Sequence, residues 1–175
     1  MIHIDASGLS YQQLNEKIRS CQEDVFLENC CGQRFLGTGM GEKHIRIQGT
    51  PGNALGAYIN GACIEVLGNA QDAVGDTMNA GRIVVHGSLG DTAGYAMRGG
   101  EIYVRGAAGY RTGVHMKAYG DKFPVIAVGA TNGSLLGESQ AGGILIVLGL
   151  TASTEPTARK FPCPRLPPGH LFIPS

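Results

Sequence analysis

The chain has 175 residues, 43% of them hydrophobic, with 14 acidic and 14 basic side chains and a formal net charge of zero. That length supports one domain with a core of its own, and balanced charge without a Lys/Arg block argues against nucleic acid or an anionic membrane as the partner. No apolar run approaches a membrane span, and the opening MIHIDASGLSYQQ lacks both segments of a secretory signal, so a cytoplasmic location is expected.

In chain order, Ser10 and Gln13 form a capping-box pattern, after which Tyr11, Leu14, Ile18 and Cys21 share one helical face. The residues VFLEN at 25–29 read as an entering strand. Residues 1–27 therefore hold a short helix and that strand, 28–150 a glycine-rich body, and 151–175 a tail with six of the eight prolines, predicted to be irregular. The five cysteines, at 21, 30, 31, 63 and 163, contain no C-x-x-C and are odd in number, which fits reduced thiols better than a disulfide framework.

The body is a repeat. Opening glycines at Gly37, Gly56, Gly75, Gly94, Gly113 and Gly137 are followed by closing glycines at Gly49, Gly68, Gly87, Gly106, Gly129 and Gly149, twelve residues later except for four extra in the Gly113/Gly129 unit. Successive units step by nineteen residues over most of the chain, the mark of a solenoid whose units bury their apolar sides only by stacking. Two and four residues before the closing glycine come Ile47/Ile45, Val66/Ile64, Val85/Ile83, Val104/Ile102, Ala127/Val125 and Val147/Leu145, a strand alternation with these residues inward. Glycines at fixed offsets mark corners that need a positive φ or a tight turn. The class this predicts is all-β, a parallel β-helix of about six coils.

Three residues after the opening glycine stand Met40, Ile59, Met78, Met97, Met116 and Gln140. Thioethers suit Cu(I), but a column that tracks the fold period reads as stacked core. GTGMG at 37–41 does not fit a dinucleotide loop and leads into a strand pattern rather than a helix.

Outward ladders follow from the same register. Asn53, Asp72, Asp91 and Tyr110 form one; its two carboxylates suit either a glycosidase-like pair or turn residues bonding local backbone N–H groups, and the second is favoured. His44 stacks on Cys63, too few ligands for zinc, and the column continues as the opposite charges Arg82 and Glu101, beside Arg46 and Glu65. Cys30 and Cys31 point to opposite sides of a strand, one buried and one exposed. Asn60, Asn79, Arg98 and Lys117 form a column that turns basic, with Arg111 and His115 in the last turn. Those cations are either neutralised by Asp91, Asp121 and Glu138 or form a site for a partner's carboxylates or an anion. In the last two coils the outward positions become apolar, namely Pro124, Ile126 and Val128, then Ile144, Ile146 and Leu148. A strand apolar on both faces is covered on both, so this is the expected docking face, shared between the tail (Leu166, Leu171, Phe172, Ile173) and a partner or second copy.

The words GQRFLGTGM, GTPGNALGAYINGA, GNAQDAVGDTMNAGRIVVHG, GYAMRGGEIYVRG, GYRTGVHMK and AGGILIVLGL resemble the glycine-rich GXGXG domain that closes the large subunit of glutamate synthase, in its stand-alone form, and more distantly the C subunit of formylmethanofuran dehydrogenase. The resemblance departs from the family at GESQAGG (137–143) and in the Pro-rich tail. It implies a right-handed β-helix that binds no cofactor, has no catalytic residue, and braces glutaminase and FMN/iron-sulfur synthase partners in glutamate biosynthesis. The alternatives are a stand-alone enzyme acting on a carbohydrate or small anion across Asp72/Asp91 or Arg98/Lys117, or the accessory subunit of a formylmethanofuran dehydrogenase-like complex.

Overall fold

The computed structural model describes residues 1–150 and the backbone strand 170–172; the rest of the tail, with Cys163, Leu166 and Ile173, lies outside the described residues. Among the described residues nine parallel strands form one sheet in chain order: β1 (Ile2–Asp5), β2 (Val25–Cys31), β3 (His44–Thr50), β4 (Asn60–Val66), β5 (Ala80–Val85), β6 (Glu101–Val104), β7 (Val125–Val128), β8 (Ile144–Val147) and β9 (His170–Phe172). One helix, α1 (Tyr11–Ser20), lies between β1 and β2. The predicted β-helix is the fold. Its sheet begins earlier than the glycine pattern, because β1 pairs with β2 from Ile2↔Val25 onward, and it ends later, because β9 in the tail pairs with β8.

Opposite the sheet each coil closes through a turn bonded to its neighbours. The N–H groups of Phe35, Ala54, Ala73, Thr92 and Arg111 donate forward, to the carbonyls of Asn53, Asp72, Asp91, Tyr110 and Ser134. Those of Gly56, Gly75, Gly94, Gly113 and Gly137 donate backward, to Leu36, Leu55, Val74, Ala93 and Thr112. The turn backbone is thus paired in both directions, as buried or half-buried backbone must be.

These turns run through the left-handed region at alternate residues. In one coil Ala73, Gly75 and Thr77 have φ of 57°, 68° and 51°. Only the middle position is always glycine, because its Cβ would point inward; at Gly75 it would lie 2.5 Å from Ile102 Cδ1, and at Gly94 2.3 Å from Ile126 Cδ1. Most closing glycines have another cause. At Gly87 a Cβ would lie 2.7 Å from the carbonyl oxygen of Gly68, so close coil approach, not φ, excludes a side chain there.

The core is the predicted stack. Ile45, Ile64, Ile83 and Ile102 run under Leu145, Ile47 under Val66, Val85, Val104 and Val147, and Met40, Ile59, Met78, Met97 and Met116 fill the opposite wall, all buried. Gln140 ends the Met column; its amide donates to the carbonyls of Gly142 and Gly143. The first coil is capped by α1, whose Ser10/Gln13 capping box forms as expected. Leu14 and Ile18 are fully buried beneath it, and buried Asn15 donates to Phe35 C=O at 2.8 Å and accepts from Gly37 N–H at 2.9 Å, the second bond standing in for the carbonyl of a preceding coil.

One coil departs from the expected register. Strand partners step by nineteen residues from Arg82 to Glu101 but by twenty-four from Glu101 to Val125, so the insertion is five residues, not four. Ala130, not Gly129, then occupies the closing column, its N–H donating to Gly106 C=O. Counting back from Gly129 is therefore one residue out of phase. Ile126 and Val128, expected outward on the docking face, are 0% exposed and pair with Ile102 and Val104 in the core; Val125 and Ala127 face out instead.

Gly75→Val or Gly94→Val should cost about 1–3 kcal/mol in backbone strain alone, with displacement of Ile102 or Ile126 added, and lower the melting temperature by roughly 5 °C or more. Ile126→Asp buries a charge in the core and should do at least as much damage, whereas Arg82→Ala should shift the melt by about 2 °C at most. Thermal melts by circular dichroism check the ranking.

Candidate functional site

The outer surface divides into three regions. On the early strands outward charges pair off across the sheet: Arg46 Nε donates to Glu65 at 2.8 Å, Arg82 Nε to Glu101 at 2.7 Å, and His86 meets Glu65 at 2.8 Å. Hydrogen bonds from His86 and Arg46 hold the Glu65 carboxyl below the usual carboxylate range. These columns are the ion pairs expected of a solvated face.

The acidic ladder on the turns is structural. Asn53 Oδ1 accepts from Asp72 N–H (3.2 Å), Asp72 Oδ1 from Asp91 N–H (2.8 Å), and Asp91 Oδ1 from Tyr110 N–H (2.8 Å). A second ladder runs beside it, from Asn69 Oδ1 to Ser88 N–H and from Ser88 Oγ to Ala107 N–H. Each side chain satisfies the backbone of the next coil. Neither Asp72 nor Asp91 is arranged as an acid paired with a base.

The cysteines divide as expected. Cys30 is buried and desolvation pushes its thiol up to about 11, while Cys31 beside it is exposed. Among the described residues no three His, Cys, Asp or Glu side chains are grouped to hold a metal, and no helix is long and apolar enough to cross a membrane.

The second region is the basic corner. Lys117 N–H donates to Met97 C=O and Arg98 N–H to Met78 C=O, which stacks Lys117 directly over Arg98. Arg98, Arg111, His115 and Lys117 are all exposed, and among the described residues none makes an ion pair, so of the two alternatives the neutralisation by Asp91, Asp121 or Glu138 does not form. His115 packs edge-on against Tyr95 with ring centroids 5.6 Å apart.

Beside this corner stands a feature the glycine count did not locate. The five inserted residues form a hairpin in which Tyr119 and Lys122 exchange backbone hydrogen bonds across Gly120 (φ 58°) and Asp121. The words YGDK carried the turn signal. The hairpin leans on Gly99, where a Cβ would lie 2.9 Å from Lys122 Cβ, and it walls an open groove of about 500 Å³. Gly61, Gly81 and Gly100 form the floor; His44, Cys63, Arg82 and Glu101 line the other side.

The third region is the outer face of the last strands. Tyr103, Ala127 and Ile146 stack in one column, and Val125 and Ile144 in the next. Leu148 is 42% and Leu150 75% exposed. The expected apolar face therefore exists, built from Val125 and Ala127 with Ile144, Ile146 and Leu148, and without Ile126 and Val128. Pro124 is buried.

A model of the GXGXG motif family matches residues 12–158, and the chain belongs to that family. An uncharacterized protein of Methanocaldococcus jannaschii is 48% identical over 155 residues, covering 84% of this chain; the chain spans 59% of that relative's length. No solved structure matches the chain.

If the acidic ladder is structural, Asp91→Asn should keep the melting temperature, since an amide oxygen accepts as Asn53 and Asn69 do, while Asp91→Ala should cost about 1 kcal/mol. Iodoacetamide on the native protein at pH 8 should alkylate Cys31 before Cys30, read by peptide mass spectrometry.

Proposed function

We propose that this GXGXG-family chain is a non-catalytic structural subunit of a glutamate synthase-like complex, bracing glutaminase and FMN/iron-sulfur synthase partners. Glutamine hydrolysis and reductive amination of 2-oxoglutarate are then the work of those partner chains. Family membership supports the class of protein. The observation that carries an assembly role is the outer face of β7 and β8. Val125, Ala127, Ile144 and Ile146 give two neighbouring strands apolar side chains on both faces, a pattern of sheets covered on both sides. The acidic ladder also favours this reading over a carbohydrate enzyme, because both carboxylates are engaged with backbone N–H groups.

Mixing the purified chain with glutaminase and FMN-synthase subunits of a split glutamate synthase should raise glutamine-dependent glutamate formation, measured from 2-oxoglutarate, above the partners alone. A yellow, catalytically competent single chain would overturn the reading. In the same mixture Ala127→Asp and Ile146→Asp should weaken co-elution with the partners by about tenfold or more, the scale of losing a buried interface contact. Arg46→Asp, which disturbs only an exposed ion pair, should not.

A further inference from the structure

We infer that the hairpin corner is a docking groove for an extended acidic segment of a partner polypeptide. The groove floor runs over Gly61, Gly81 and Gly100, with Asn79 and Ala80 beside them. A Cβ at Gly81 would lie 2.2 Å from Ala62 O, and one at Gly100 2.4 Å from Met78 Cε, so the coils themselves forbid side chains there and leave room for a strand-like occupant. Its length follows from the stack: from His44 on β3 to Glu101 on β6 are three inter-strand steps, roughly 14 Å, the reach of about four extended residues.

Charge selects the occupant. Arg82 and Glu101 on one wall already satisfy each other. Lys122 lines the groove on the hairpin side, and Arg98, one coil on from the lining residue Asn79, and Lys117 above it flank the groove at the same corner; all three are exposed and make no ion pair among the described residues, although Asp121 is on the same hairpin. Stacked cations repel one another until an anion joins them. Phe123, 48% exposed, lines the groove and Tyr119, 66% exposed, stands at the hairpin, giving aromatic anchors of the kind that dominate protein interfaces. Nucleic acid is the poorer fit, since three cations on a chain of zero net charge release few counterions.

This inference rests on the reading that the chain works within an assembly. The two fail separately, because assembly through the outer face of β7 and β8 is read by co-elution and this groove by peptide binding. Fluorescein-labelled hexaglutamate, hexalysine and a deoxythymidine hexamer would be titrated with the full chain at low salt and followed by anisotropy. Hexaglutamate should bind, hexalysine should not, and the deoxythymidine hexamer should bind more weakly than hexaglutamate. Arg98→Glu and Lys122→Glu should each weaken hexaglutamate binding about three- to tenfold, the scale of one exposed pair lost and one repulsion gained; Lys122→Gln should weaken it less, and Lys17→Glu on α1 should leave it unchanged. Melting temperatures within 2 °C of wild type would confirm that the variants fold. No hexaglutamate binding, binding indifferent to the Arg98 and Lys122 reversals, or tighter binding of the deoxythymidine hexamer would each overturn the inference.

Discussion

Everything in this fold depends on a turn that carries hydrogen bonds in both directions along the stack while leaving no room for a side chain at its centre. The left-handed conformation at alternate residues lets Ala73 reach the coil ahead and Gly75 the coil behind. It also aims the Cβ of the middle residue at the core, where Ile102 already sits. The outer two residues of the turn aim away from the core, so Phe35, Tyr58, Arg111 and His115 tolerate a φ that ordinarily favours glycine. One backbone geometry thus fixes the glycine column, the isoleucine column that fills against it, and the positions free to vary on the surface.

A stack held this way is unsatisfied at its ends. At the first coil α1 takes the place of a preceding turn: Asn15 accepts from Gly37 N–H, and Arg19 donates to Thr38 C=O, the carbonyl that in later coils receives an N–H from the coil before. At the other end β9 continues the sheet past β8. Between them the side-chain ladder from Asn53 through Asp72 to Asp91 repeats the same solution on the outside, each oxygen serving the amide one coil further on. Carboxylates that look like chemistry on a list of residues are part of the scaffold.

Much of this was legible in the sequence. Glycine spacing gave the period, alternation gave the strands, and the opposite charges at Arg46/Glu65 and Arg82/Glu101 fell in register. What escaped did so for identifiable reasons. β1 precedes the first glycine pair and has only four residues, so no repeat announces it. The phase of β7 was hidden because Val125, Ile126, Ala127 and Val128 are all apolar, so alternation could not correct a count begun from Gly129. The hairpin was visible as extra length, but length alone does not say that it folds back on Gly99 and makes a wall.

The insertion leaves the ladders on either side of it intact: Lys117 still bonds to Met97, and Val125 to Gly100. A coil can therefore grow at this corner without altering the rise of the stack. Because nine strands are separated by eight fixed steps, β1 and β9 stand roughly 38 Å apart, and that separation can change only in increments of one coil. The protein is in this sense a ruler with integer markings, on which whatever is held at one end is kept at a set distance from whatever is held at the other, however the corners are decorated.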